Sequence, residues 1–405
     1  MRHAPSEHVV PAVPARLHLS SLVRGLSLAA ALGGAAALFW AFSQGHPDLA
    51  WSSYLIGAFF ALGLGVFGVA WMSMLYLSHA DWSVTMRRVP EAMTAWLVPG
   101  GLLTLLVGLG AHTLYHWSHP EAVAQDALLA HKAPFLNLPL FYALTAASLV
   151  AWAAFALAMT GASRRQDAEG GVALTLRNRA LSAGFLVVFA LTLSVVSFYL
   201  LMSLEAHWFS TMFAVVVFTD VVQTGTAFVA VAVGLLMMSG RLEGWVTESH
   251  LHSLGKMVFA ATGFWAYVYF CQFLLVWYAN IPEETVYFLR RSENGWLPYF
   301  LGLPVLKFVL PFLLLLPREA KREPYRLVPI SLLIVFAQFW ELYLMVGPAV
   351  AHGDAAAHAH LPVIEFAVTL GFVGLFVLVF GWALKRHDAV PLKDPALMAC
   401  LEYHS

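Results

Sequence analysis

Five ionisable residues lie inside long apolar stretches of this 405-residue chain, and they are where its chemistry has to be sought. They are Asp220, Lys307, Glu341, Glu365 and Glu91. An ionisable group at bilayer depth costs several kcal/mol unless it is paired or hydrated, so each is a functional candidate. Asp220 falls about eleven residues into an apolar run, close to the midplane of a helix rising 1.5 Å per residue, and Lys307 falls at similar depth in another. Asp220, Gln223 and Thr224 share a helical face, Gln338 and Glu341 form a second, and Trp265, Tyr269 and Gln272 make a polar-aromatic stripe. Two chemistries are open to this set. One is a buried Asp220–Lys307 ion pair that fixes helix packing, in which Asp220→Asn would strand the lysine. The other is a proton path, because further titratable residues stand at both ends of the apolar runs. Glu205, His207, Glu283 and Glu284 join Glu341 and Glu365 towards one side, and Asp81, Arg87, Arg88, His250, His252 and Lys256 join Glu91 on the other.

The histidines and cysteines argue against a redox centre in this chain. Cys271 and Cys400 are its two cysteines, too few for an iron–sulfur cluster and outside any C-x-x-C-H haem attachment. The seventeen histidines, His3, His8 and His352 among them, fall in loops or at helix ends rather than as facing pairs on neighbouring helices. His112 and His116 share a face at i, i+4 beside Trp117, which fits an interfacial position as well as a metal site.

The elements that must position these residues are ten apolar runs at 21–43, 51–78, 90–114, 136–160, 181–204, 209–238, 253–279, 296–316, 327–348 and 362–385. A hydrocarbon core takes about 20 helical residues to cross, and in lipid each backbone polar group must be satisfied within its own segment. The expectation is an all-α integral membrane protein, and 60% hydrophobic against 11% charged residues agrees. Basic loops stay cytoplasmic. With the N-terminus inside, eighteen of the 22 Lys and Arg residues fall on the inner side, Arg2 to Lys393, against Lys132, Arg290 and Arg291 outside and Lys307 within a helix. Both termini are therefore expected in the cytoplasm, 1–20 as an N-terminal segment and 386–405 as a tail. The run Leu26 to Phe42 is long for a signal core and ends in large residues, so it reads as a retained helix. The net charge of −1 and the absence of a basic aromatic patch outside the membrane give no indication of nucleic-acid binding.

Four stretches carry a resemblance: HADWSVTMRRVPEAM at 79–93, SLEAHWFSTMFAVVVF at 203–218, HSLGKMVFAATGFWAYVYFCQFLLVWYANIPEETVYF at 252–288 and PFLLLLPREAKREP at 311–324. From about 50 to 350 the chain resembles the NrfD-like, or polysulfide-reductase membrane-anchor, family. Within it the chain resembles the second large membrane subunit of bacterial alternative complex III, a quinol:electron-acceptor oxidoreductase. The resemblance implies two four-helix bundles, 51–204 and 205–348, between a first flanking helix with its loop (21–50) and an outer loop with a last flanking helix (349–385). It implies a place in the bacterial cytoplasmic membrane beside a paralogous NrfD-like subunit, an iron–sulfur subunit, a multihaem c-type cytochrome and small membrane subunits. Haem c and the clusters would then belong to those partners, while this chain meets the quinol pool and carries a proton half-channel. It departs from the family pattern at Ser253, where an acidic residue is expected, and at Asp220, where a small or neutral one is.

Quinol chemistry needs an acid or base beside a hydrophobic slot. Trp208, Phe209, Tyr199, Trp277 and Tyr278 with Glu205, His207 and Glu284 could supply both at the outer interface, although aromatic belts occur at every membrane surface. Two other classes fit the same sequence: an autonomous proton-coupled transporter, whose matched broken helices are not evident around Pro90, Pro304 and Pro311, and a scaffold that docks redox subunits without moving protons.

Overall fold

The computed structural model describes residues 16–350 and 358–405, so Arg2, His3, His8 and His352 lie outside the described residues. Ten of its helices are long and apolar enough to cross a membrane: α1 Ser21–Ser43, α2 Pro47–Leu77, α3 Arg88–Leu114, α4 Leu138–Glu169, α5 Ala173–Leu200, α6 Phe213–Met238, α7 Glu248–Ala279, α8 Leu297–Leu315, α9 Pro324–Val350 and α10 Val363–Leu384. The described residues contain no strand.

Local chemistry sets several of the ends. Ser20 accepts from the Val23 N–H at the start of α1, and Asn137 accepts from the Leu140 N–H at the start of α4. Thr247 and His250 form a reciprocal cap on α7, which stops at Asn280 in the left-handed region (φ 49°) just before Pro282. The segment 161–180, which lies between two of the apolar runs, is helical except for the turn around Gly170 and Gly171, which have φ of 71° and 82°. Polar residues such as Arg165 and Gln166 continue α4 beyond its apolar run because a helix satisfies its own backbone in water as well as in lipid.

Helices α2, α3, α4 and α5 pack as one group and α6, α7, α8 and α9 as another. The apolar window of α2 is 94% buried and that of α8 only 17%. A helix that is hydrophobic all round must be covered on every side, and α2 is: it packs on α3, α5, α6, α9 and α10 and so joins the two groups. The first and last helices lie against each other, and α10 also packs along α2. Their backbones touch through glycine. A Cβ on Gly34 would sit 2.6 Å from the Gly371 Cα, and one on Gly374 would run into the Ser27 carbonyl. Small residues permit this approach where lipid offers no hydrophobic force between helices.

Contacts between connecting segments define two faces. On the first, Arg241 donates to the His18 carbonyl, Arg87 pairs with Asp394, and His250 Nε2 lies 2.9 Å from the Cys400 carbonyl. On the opposite face Lys132 donates to the Ala206 carbonyl (2.6 Å) and Tyr299 to that of His360 (3.0 Å). The first face carries most of the basic residues of the sequence and is called the basic face below.

Candidate functional site: a buried lysine between two carboxylates

The centre of the second bundle holds a cluster of charges. Lys307 is fully buried, and its Nζ donates to Asp220 Oδ1 (2.6 Å), Gln338 Oε1 (2.6 Å) and the Glu341 carboxylate. Asp220 comes from α6, Gln338 and Glu341 from α9, one helical turn apart, and both carboxylates are also buried. Thr224, a turn after Asp220, donates to Gln338 Oε1 (3.0 Å), and Trp265 of α7 donates its indole N–H to Glu341 Oε1 (3.3 Å). The lysine Nζ stands 4.9 Å from the Trp265 ring centroid, so the indole also offers it a cation–π face. Each of the four helices contributes.

Two prolines aim the lysine. Residues Val305–Val309 form a π turn between Pro304 and Pro311. Such turns inside α-helices are uncommon and recur at functional sites. Pro311, four residues beyond Lys307, has no N–H to give the Lys307 carbonyl. The Gln223 side chain donates to that carbonyl instead (2.9 Å) and also to Thr262 Oγ1 (3.2 Å). The face Asp220–Gln223–Thr224 thus binds both the charge and the backbone of Lys307. Asp220 is seven residues after the start of α6 and eighteen before its end, nearer the opposite face than the midplane position expected. The difference arises because residues 208–212 are not helical and α6 begins at Phe213. A cavity of about 20 Å³ adjoins Asp220, Thr224 and Gln338 and is lined on its other side by Phe59, Phe60 and Gly63 of α2, which is room for one water.

The stripe on α7 leads from the cluster towards the opposite face. Tyr269 stacks on Trp265 with ring centroids 4.9 Å apart and lies within electrostatic reach of Glu341, Tyr287 and Arg291. Arg291 is buried: it donates to Glu205 Oε1 (2.7 Å), to the Tyr287 carbonyl (2.7 Å) and to the Met345 carbonyl (2.9 Å), with its guanidinium 3.4 Å from the Tyr287 ring centroid. Arg290 reaches the other oxygen of Glu205 (3.3 Å). Glu205 is therefore an ion-pair partner rather than a free acid. From the sequence Arg290 and Arg291 are expected only in an outer loop, where two bases on the side otherwise poor in them are the one signal of a role. Burial pushes the Tyr287 hydroxyl up to about 12, and the charge of Arg291 acts against that rise.

The expected aromatic slot is formed in part. Trp208 stacks on Tyr287 (4.1 Å between centroids) and donates to the Glu284 carbonyl (3.1 Å). Trp208, Phe209, Gln272 and Glu284 line a cavity of about 220 Å³. Tyr278 and Trp277 point outward, Glu283 is exposed, and Tyr199 is buried in the first bundle, where it donates to the Phe135 carbonyl. His207 pairs with Asp126, whose carboxyl is held below its ordinary value chiefly by that bond.

The remaining residues of the anticipated path stand apart from the cluster. Glu91 is buried at the basic-face end of α3 and bound to Arg88 (2.6 Å), which also binds Asp167 and donates to Ser163 Oγ (3.3 Å). Arg87 is held by Asp394 and lies 4.8 Å from the Tyr76 ring centroid. Asp81 and Lys256 are exposed, and His252 Nδ1 lies 3.1 Å from Ser405 Oγ. The tail beyond α10 covers this end, with Ser253 Oγ lying 2.8 Å from Tyr403 Oη and His250 meeting Cys400. Glu365 is buried on α10 and bound to His360 (2.8 Å), not to Glu341.

The bond to Glu365 holds His360 protonated above the ordinary histidine range, against an opposing effect of burial. A folded-state value that is raised stabilises at pH below the unfolded value, and the contribution is lost as pH rises through the raised one. His360→Gln should therefore lower thermal stability most near about pH 6 and least near about pH 9. A loss that does not vary with pH would contradict this account of the pair.

Comparison with family models gives no match for the chain, and comparison with curated proteins gives none either.

Proposed function

We propose that this chain is an integral, NrfD-like subunit of a quinol-oxidising complex of the alternative complex III type, and that its second bundle carries protons. The observation that carries the reading is the charge count of the buried cluster. One lysine faces two carboxylates, so full ionisation leaves a net negative charge away from water, and the site balances when the two carboxyls share one proton. Arg88 also faces two carboxylates, but its Asp167 reaches solvent (22% exposed). Lys307, Asp220 and Glu341 are all cut off from water, and a site that can balance there only by holding a proton suits proton transfer. The Trp265–Tyr269 stripe and the Glu205–Arg291 pair offer a polar way from it to the opposite face.

The electrons would pass through haem c and iron–sulfur groups of partner subunits, with quinol drawn from the membrane and the Trp208–Glu284 cavity as its nearest contact on this chain. The positive-inside bias favours a cytoplasmic basic face in a bacterial inner membrane. Labelling tests that orientation. In a variant freed of Cys271 and Cys400, Val172→Cys should react only from the cytoplasm and Glu121→Cys only from outside, and the reverse would invert the assignment.

Purification tests the subunit reading. A tagged chain extracted from its own membrane should bring haem-bearing and iron–sulfur proteins with it, and the isolated chain should oxidise no quinol. Recovery of the chain alone, active as a proton-coupled transporter in liposomes, would overturn the reading.

A further inference from the structure

Away from the charge cluster, an apolar cavity of about 670 Å³ opens between α3, α4 and α10. Exposed Val98 and Leu157 stand along it, so it faces the surroundings of the bundle rather than the core. Arg164 and Arg386 line the same cavity at the basic-face ends of α4 and α10, where they lie close enough to repel each other. Neither makes an ion pair with any described residue. Of the carboxylates nearby, Glu91 and Asp167 both bind Arg88, and Asp388, two residues beyond Arg386, is exposed and makes no ion pair with either arginine, whereas the next arginine, Arg165, has Glu169 as its partner. Arg386 lies over the Trp382 ring, 3.7 Å from its centroid, which holds its guanidinium at the cavity rim.

The geometry points to a binding site for one anionic phospholipid, with its phosphate between Arg164 and Arg386 and an acyl chain in the cavity. Along α4 the lining runs from Arg164 down to Ala153, about 16 Å at the helical rise, which matches one leaflet of hydrocarbon. The arginines then stand at headgroup depth and the apolar lining at chain depth. Two positive charges beside each other with no carboxylate partner attract an anion, and a phosphate offers acceptor oxygens to both. The site is independent of the proton-carrying role.

Native mass spectrometry of the full chain, titrated with phosphatidylglycerol, phosphatidylcholine or inorganic phosphate, tests the assignment. Wild type should retain one phosphatidylglycerol in preference to phosphatidylcholine, and millimolar inorganic phosphate should not displace it. The double variant Arg164→Gln/Arg386→Gln should bind phosphatidylglycerol about thirtyfold more weakly, and Arg165→Gln should bind like wild type. Leu157→Trp, which crowds the cavity and keeps both arginines, should also lose the lipid. Equal retention of the two lipids, or unchanged binding in the double variant, would overturn the proposal. Displacement by inorganic phosphate alone would make it a free-anion site and overturn it too.

Discussion

Lys307→Met is expected to destabilise the protein more than any other single substitution in the second bundle. It removes the one cation from a site with two buried carboxylates and leaves Asp220, Glu341 and Gln338 facing one another. Breaking a buried ion pair from one side costs about 3–5 kcal/mol, because the remaining charge is neither paired nor hydrated. The loss should appear as a lower unfolding temperature of the purified chain. Adding Asp220→Asn and Glu341→Gln to Lys307→Met should recover most of it, since a neutral cluster strands no charge. A single variant as stable as wild type would mean that the cluster is not held by charge pairing. A bare Asp220–Lys307 pair would have made Asp220→Asn equally damaging. With Glu341 also on the lysine, Asp220→Asn leaves a one-to-one pair and should be the milder change.

Glu341→Gln separates packing from proton transfer. Trp265 and Lys307 donate to different oxygens of Glu341, so the single amide oxygen keeps the lysine and gives up the long indole bond (3.3 Å); Asp220 still balances the lysine, so assembly should be preserved. On the proposed reading the variant removes the group that shares a proton with Asp220, and an amide cannot exchange one on the working timescale. In liposomes holding the whole complex, quinol oxidation should continue in uncoupled membranes while proton movement through this subunit falls by about 100-fold. Proton movement at the wild-type rate would rule out the path and leave a scaffold in which the charges only fix packing.

Much of the fold was legible because the solvent constraint is severe. Runs of about 20 apolar residues can only be helices in lipid, and the ten expected runs coincide with the ten long helices, α1 to within a residue. The choice of Asp220, Lys307 and Glu341 follows from the cost of burying charge and that of Gln338 from the face it shares with Glu341, and these four do meet. Glu91 and Glu365 met the same criterion yet belong elsewhere. The Arg88–Glu91 spacing of i, i+3 was a readable sign of local pairing, whereas the His360–Glu365 contact depends on how the chain enters α10.

Sequence alone determined the helices, the two faces and the few residues whose charge has to be neutralised, because each follows from transfer free energies along a single segment. Only the tertiary structure decided how that neutralisation is made. The π turn between Pro304 and Pro311 aims Lys307 at α6 and α9 together, so the expected pair became a lysine with two carboxylates. Arg291 left its loop to bind Glu205 against the end of α9, and α1 settled on α10 through glycines. Each of these depends on where helices distant in sequence cross, and periodicity within one helix carries no information about which neighbour it meets.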